Sequence, residues 1–135
     1  MKVLIVDDSP LFTSKLIKGL DKELVGTIAK NGRLGLNEYY TAHKNEDPFD
    51  IIFLDLDMPT MRGEDALQAI RSYEECMQVD PVKVIVVSAN SDSKKAIELF
   101  NIGCDYYVTK PIKKIDIQKA LTFIYKDAEN ITQIL

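Results

Sequence analysis

The chain has 135 residues, with 17 basic and 21 acidic side chains, and a formal net charge of −4. That length suits one domain, and the 46% share of hydrophobic residues is enough for one buried core. No apolar run is long enough for a membrane span, and the run at residues 3–6 is too short for a signal peptide. An acidic chain without a basic stripe is poorly suited to direct nucleic-acid binding. We therefore expect a cytoplasmic protein whose two cysteines, Cys76 and Cys104, are reduced.

Short apolar runs alternate with helical patterns along the chain. Continuous apolar runs predict buried strands at residues 3–6, 51–54 and 82–87, and weaker patterns predict strands at 24–29 and 106–108. Helices are predicted from Ser9-Pro10 onward, over residues 34–42 and 64–77, from a cap at Ser91 or Ser93 to about Phe100, and at the end of the chain. The last predicted helix contains four apolar residues: Ile115, Ala120, Leu121 and Ile124. This alternation predicts an α/β fold, an open, doubly wound parallel sheet of five strands.

Polar residues follow four of the predicted strands. Asp7 and Asp8 follow the first, Asp55 the third, Ser88 the fourth and Lys110 the fifth. Ligands of doubly wound sheets bind beyond the carboxyl ends of the strands, so we expect these side chains to converge in space.

Such a group of carboxylates has a definite chemistry. Acids crowded together repel one another unless a cation lies between them, and oxygen ligands favour Mg²⁺. A carboxylate beside Mg²⁺ and a lysine suits phosphoryl transfer, with Ser88 able to donate to a phosphoryl oxygen. The alternative interpretation is that the acids only solvate loops, that Ser88 is a turn hydroxyl and that Lys110 is a surface lysine.

Five segments carry a resemblance to a known family. They are residues 3–9, 50–59 (DIIFLDLDMP), 61–63, 84–89 (VIVVSA) and 103–111 (GCDYYVTKP). Together they resemble the receiver domain of a two-component response regulator, of the stand-alone CheY-like type, from residue 2 to about residue 125. The resemblance implies a flavodoxin/CheY-like (βα)5 fold with strand order 2-1-3-4-5.

The resemblance also implies roles for individual residues. Asp55 would accept a phosphoryl group from a phosphohistidine on a histidine kinase or histidine phosphotransfer domain. Mg²⁺ would be the cofactor, held by Asp7, Asp8, Asp55 and the backbone carbonyl of Asp57. Lys110 would bind the phosphoryl group.

A conformational switch is implied as well. Ser88 would be the switch hydroxyl and Tyr107 the switch aromatic, whereas Tyr106 would point to the opposite face of the sheet. The fourth predicted helix, the fifth strand and the last helix would form the face that binds a downstream protein target or a second copy. Lysines place positive charge there: Lys94, Lys95, Lys113 and Lys114. Such a domain is not an enzyme beyond its own phosphorylation and autodephosphorylation.

The expected domain covers residues 1–127, followed by a tail or helix extension at 128–135 that is too short for an effector domain. Whether the chain is a whole protein or part of a longer one stays open. Arg62 and Cys104 depart from common family residues. Asp57, at a variable position, is expected with Asn90 to tune the attack of water on the phosphoryl group.

A second interpretation comes from a different class of protein. The string at residues 53–57 (FLDLD) also resembles the motif of haloacid-dehalogenase-like phosphatases. In such an enzyme Asp55 would be the nucleophile and Asp57 the general acid/base. The acidic pair that precedes Asp55, and Pro59 after it, argue against this alternative.

Overall fold

The computed structural model describes residues 1–9, 14 and 25–126. Its centre is a parallel sheet of five strands in the order β2-β1-β3-β4-β5. The strands are β1 (Lys2–Val6), β2 (Val25–Ala29), β3 (Ile51–Asp55), β4 (Lys83–Ser88) and β5 (Tyr106–Thr109). The predicted five-stranded parallel sheet and its strand order are therefore confirmed.

Four helices are described: α1 (Gly32–Lys44), α2 (Gly63–Met77), α3 (Ser93–Ile102) and α4 (Lys114–Ile124). Asn31 caps α1, because its side chain accepts a hydrogen bond of 2.9 Å from the backbone N–H of Leu34. The helix predicted from Pro10 onward and the tail at 128–135 lie outside the described residues.

Both faces of the sheet are covered, because successive residues of a strand point to opposite sides. Leu4 and Val6 of β1 belong to one hydrophobic core, with residues of α1 and α2. Val3 and Ile5 belong to a second core, with residues of α4. The central strands therefore have two dry faces, and only their ends are available for chemistry.

One local prediction is wrong. The cap of α3 is Asp92, whose carboxylate accepts from the Lys94 N–H at 3.0 Å, rather than Ser91 or Ser93. Ile115 does not face the core and is 50% exposed. The stripe of α4 that meets the sheet instead begins at Ile117 and continues at helical spacing through Ala120, Leu121 and Ile124. The helix α3 runs two residues past Phe100 and ends at Gly103, whose φ of 129° favours glycine.

Charged side chains join the opposite end of the sheet, away from these carboxyl ends. Arg71 of α2 donates to the Gly103 carbonyl at 2.9 Å, to Glu74 at 2.7 Å and to Asp105 at 3.1 Å. Glu74 is buried and accepts from the Tyr39 hydroxyl and the Val82 N–H. This network fixes α2 against the starts of β4 and β5.

Candidate functional site

The carboxyl ends of β1, β3, β4 and β5 bring the predicted site residues to one edge of the sheet. Asp7 follows β1, Asp55 ends β3, Ser88 ends β4 and Lys110 follows β5. Asp7, Asp55 and Ser88 are each at most 2% exposed, so the floor of the site is dry. The proximity expected from parallel strand ends is therefore present.

Asp55 and Lys110 form an ion pair across this edge. The Lys110 ammonium donates to Asp55 Oδ1 at 3.0 Å, and the Asp57 N–H donates to the same oxygen at 2.9 Å. Burial opposes the charge of Lys110, but its hydrogen bond to Asp55 and the surrounding carboxylates outweigh that effect and raise its pKa. Lys110 therefore stays cationic beside a buried carboxylate.

The position of Asp55 depends on a close approach by α2. A Cβ atom at Gly63 would lie 3.0 Å from the Leu56 Cα and 3.2 Å from the Asp55 carbonyl oxygen. Only glycine lets the start of α2 come this near to the end of β3.

Three acids of the site can offer oxygens to one ion. Asp7, Asp8 and Asp55 each present a carboxylate oxygen within 4.8 Å of the others. Asp7 Oδ1 accepts from the Ser9 N–H at 2.7 Å, whereas Asp7 Oδ2 is buried without a hydrogen-bond partner among the described residues. Burial, with the charges of Asp55 and Asp8, raises the pKa of Asp7 to about 6. A buried oxygen without a partner, in an all-oxygen group of acids, fits a hard divalent cation such as Mg²⁺.

Asp57 connects two loops above Asp55. Its Oδ2 accepts from the Ala89 N–H at 2.8 Å and lies 3.8 Å from the Lys110 nitrogen. Its Oδ1 is 3.5 Å from the Ser88 hydroxyl, which in turn accepts from the Asn90 N–H at 3.1 Å. The sequence did not predict that the Ala89 N–H would be a donor at the site. Residue type does not distinguish one backbone N–H from another, and only the position after a strand could have indicated it.

Tyr107 and Tyr106 lie on opposite faces of β5. Tyr107 packs against the first core, and its hydroxyl donates to the Asn90 carbonyl at 2.7 Å. Tyr106 packs against the second core and stacks on Phe123 of α4. The expected alternation is confirmed, and Tyr107 is the tyrosine in contact with the loop after Ser88.

A charged cluster next to the site was also missed. Glu64, the second residue of α2, accepts from Lys95 of α3 and from Arg62, each at 2.7 Å. Glu64 is only 8% exposed, although an acid at the start of a helix is expected from the sequence to lie at the surface. The bridge connects the loop after Asp55 to α3.

Family comparison identifies the class of this protein. The sequence profile of the response regulator receiver domain matches residues 3–122. The chain therefore belongs to the response regulator receiver domain family, and its role is that of a phosphoryl-accepting domain in two-component signal transduction.

Individual relatives agree with this membership. The sensor histidine kinase GacS of Pseudomonas protegens is 30% identical over 116 residues, which are 84% of this chain and 12% of the kinase. The hybrid signal transduction histidine kinase A of Dictyostelium discoideum is 34% identical over 122 residues, which are 89% of this chain and 5% of that protein. This chain thus spans only a small part of these curated relatives.

Solved structures share the fold. A chain of the CheX-CheY-BeF3-Mg+2 complex from Borrelia burgdorferi matches with a TM-score of 0.80 and 23% identity, over 93% of this chain and 89% of that one. A chain of the complex of the Saccharomyces cerevisiae phosphotransfer protein Ypd1 with the Ssk1 receiver domain matches with a TM-score of 0.80 and 24% identity, over 96% and 93%. Both likenesses show a CheY-like fold. No helix in residues 25–126 is long and apolar enough to cross a membrane.

Proposed function

We propose that Asp55 is the phosphoryl acceptor and that it takes its phosphoryl group from a phosphohistidine. One observation carries this assignment: a buried carboxylate at the end of a central strand lies 3.0 Å from a lysine ammonium and beside two further acids. A carboxylate oxygen of Asp55 attacks phosphorus in line, the N–P bond of the phosphohistidine breaks, and the imidazole leaves. Lys110 neutralises charge on the transferred group.

Mg²⁺ is the proposed cofactor. Asp7, Asp8 and Asp55 would hold it through carboxylate oxygens, with the backbone carbonyl of Asp57. When bound, the ion supplies positive charge that offsets the oxygens of the transferred group. The buried Asp7 oxygen without a partner supports this assignment.

Phosphorylation is proposed to act through a two-state switch. Ser88 moves to donate to the phosphoryl group, and Tyr107 turns inward into the space that Ser88 leaves. The output face consists of α3, β5 and α4. A bias of a few kcal/mol between two conformations is enough to change their populations, so one added phosphoryl group is a sufficient signal.

The proposed donor is a histidine kinase or a histidine phosphotransfer domain. The relative from Pseudomonas protegens is named a sensor histidine kinase, and a structural neighbour comes from a complex with a phosphotransfer protein. On the output side we propose a downstream protein target or a second copy of the chain, bound through α3, β5 and α4. Direct nucleic-acid and membrane binding are not part of the proposal, and the proposed location is the cytoplasm.

The domain is proposed to extend over residues 1–127, without catalytic turnover of other substrates. Asp57, with Asn90 across the site, is proposed to set the lifetime of the phosphorylated form by controlling the attack of water. Dephosphorylation of wild type and of Asp57→Asn is the measurement. The two rates should differ, and equal rates would remove this role.

Labelling separates this proposal from the phosphatase alternative. With acetyl phosphate and Mg²⁺, the protein should incorporate one phosphoryl group per chain, and Asp55→Asn should incorporate none. Repeated turnover of p-nitrophenyl phosphate that is lost in Asp57→Asn would instead identify a haloacid-dehalogenase-like phosphatase.

A further inference from the structure

The Asp57 carboxylate lies among three donors, two of which, Lys110 and Ser88, the proposed function assigns to the phosphoryl group. It accepts a 2.8 Å hydrogen bond from the Ala89 N–H, is 3.8 Å from the Lys110 nitrogen and is 3.5 Å from the Ser88 hydroxyl. These three donors come from β4, the residue after β4 and the residue after β5. An internal anion thus already lies within their reach.

We propose that the Asp57 side chain is an internal competitor of the phosphoryl group, which must displace it from the Ala89 N–H when Asp55 is modified. The inference rests on the proposed function, since it assumes that the donors around Asp55 serve a phosphoryl group. It adds an autoinhibitory contact to that function, supplied by a side chain that takes no part in the transfer itself.

Asp57 and the phosphoryl group compete for the single hydrogen of the Ala89 N–H. A backbone N–H has one hydrogen and makes one strong bond, so Ala89 cannot serve Asp57 and a phosphoryl oxygen together. The bond to Asp57 is charge-assisted, which makes it stronger than a bond between neutral groups. Phosphorylation therefore has to break a favourable contact before the phosphoryl group gains its own.

The surroundings of Asp57 allow this exchange. Its side chain is 42% exposed, so a displaced carboxylate can turn outward into water. Asp55, in contrast, is 2% exposed and has no such exit. In the unmodified protein the Asp57 contact also holds the loop after β4 against the loop after β3. Release of Asp57 would therefore free Ser88 and the neighbouring Asn90 to move.

Two variants separate a competing contact from simple charge repulsion. Asp57→Ala removes both the acceptor and the charge. Asp65→Ala removes the same charge from an exposed position in the first turn of α2. If Asp57 acts only by repulsion at a distance, neither substitution should change the rate at which the Ala89 amide exchanges with water.

The test uses NMR to follow exchange of the Ala89 amide with water and to titrate beryllofluoride in the presence of Mg²⁺. Loss of the charge-assisted bond in Asp57→Ala should raise the exchange rate about tenfold without beryllofluoride, and beryllofluoride should restore slow exchange. The same variant should bind beryllofluoride about tenfold more tightly than wild type, whereas Asp65→Ala should stay within about twofold.

An unchanged Ala89 exchange rate in Asp57→Ala would overturn the inference, as would equal affinities of Asp57→Ala and wild type. Failure of the proposed function has a different signature. In that case wild type and both variants would bind no beryllofluoride at all, whatever the Ala89 amide does.

Discussion

Lys110 and Asp55 meet at 3.0 Å although β4 separates their strands in the sheet. The lysine therefore extends across the site rather than along its own strand. It is the only charge contact to Asp55 among the salt bridges of the described residues. Lys110→Ala should lower the rate of phosphorylation by acetyl phosphate by at least about tenfold, because the transferred group loses a charge-assisted donor.

The matched control is Lys114→Ala, which removes an exposed lysine at the start of α4. Rates are measured by incorporation of labelled phosphate. A Lys110→Ala protein that is labelled as fast as this control would show that the ion pair has no part in the transfer.

The buried charge of Asp7 should lower the stability of the fold when Mg²⁺ is absent and serve Mg²⁺ binding when it is present. Burial raises its pKa to about 6, and one of its oxygens has no partner in the described part of the chain. Asp7→Asn keeps an acceptor for the Ser9 N–H but removes the charge, so without Mg²⁺ its free energy of unfolding should rise by about 1–2 kcal/mol.

Urea denaturation with and without Mg²⁺ checks this prediction. Wild type should gain stability from Mg²⁺ by mass action, and Asp7→Asn should gain none. Equal gains in the two proteins would mean that Asp7 is not a ligand.

The ion pairs of Glu64 should stabilise the fold at neutral pH and lose this effect in acid. Burial opposes its ionisation, but hydrogen bonds from Lys95 and Arg62 outweigh this and lower its pKa from 4.5 to about 2. Because the folded pKa is below the unfolded one, the contribution of Glu64 is complete above about pH 4.5 and disappears as the pH falls toward 2.

Glu64→Gln should therefore lower the free energy of unfolding by about 1–2 kcal/mol at pH 7, and the difference from wild type should shrink to less than about 0.5 kcal/mol as the pH falls through 2. Glu98→Gln is the control. Glu98 is 49% exposed and lies 3.4 Å from the same Lys95, a longer and more exposed contact than that of Glu64. Glu98→Gln should therefore lower the free energy of unfolding by less than about 0.5 kcal/mol. A difference between wild type and Glu64→Gln that does not change with pH would contradict the assignment.

A substitution at Tyr107 should affect partner binding but not phosphorylation. Its ring packs on the core, and its hydroxyl donates to the Asn90 carbonyl in the loop after Ser88. Tyr107→Ala should keep phosphorylation within about twofold of wild type but weaken the change in partner affinity on phosphorylation by at least about fivefold. Tyr40→Ala, on α1, is the aromatic control. Partner binding that responds to phosphorylation as in wild type would refute the switch.

The sheet and the site were predictable from the sequence for one physical reason. Strands buried on both faces must be continuously apolar, so the first polar residue after each strand marks its carboxyl end. Asp7, Asp55 and Ser88 were found in this way. Their convergence followed from the parallel topology and needed no knowledge of side-chain positions.

The features that the sequence did not predict depend on tertiary packing. Asp92 stands between two serines, and the path of the loop decides which of the three caps α3. Glu64 is buried beside Lys95 of α3, and Glu74 is buried beside Arg71, which lies three positions earlier on the same helix. The rotation of α4 that exposes Ile115 is likewise set by contact with the sheet.

The central claim is that Asp55 receives the phosphoryl group, and trapping the modified residue tests it most directly. The protein is phosphorylated by a phosphohistidine donor in the presence of Mg²⁺, and the acyl phosphate is reduced with borohydride to homoserine. Mass spectrometry of the digested chain should find homoserine at position 55, and none in Asp55→Asn. Homoserine at another aspartate, or a phosphohistidine donor that transfers nothing to the chain, would contradict the account.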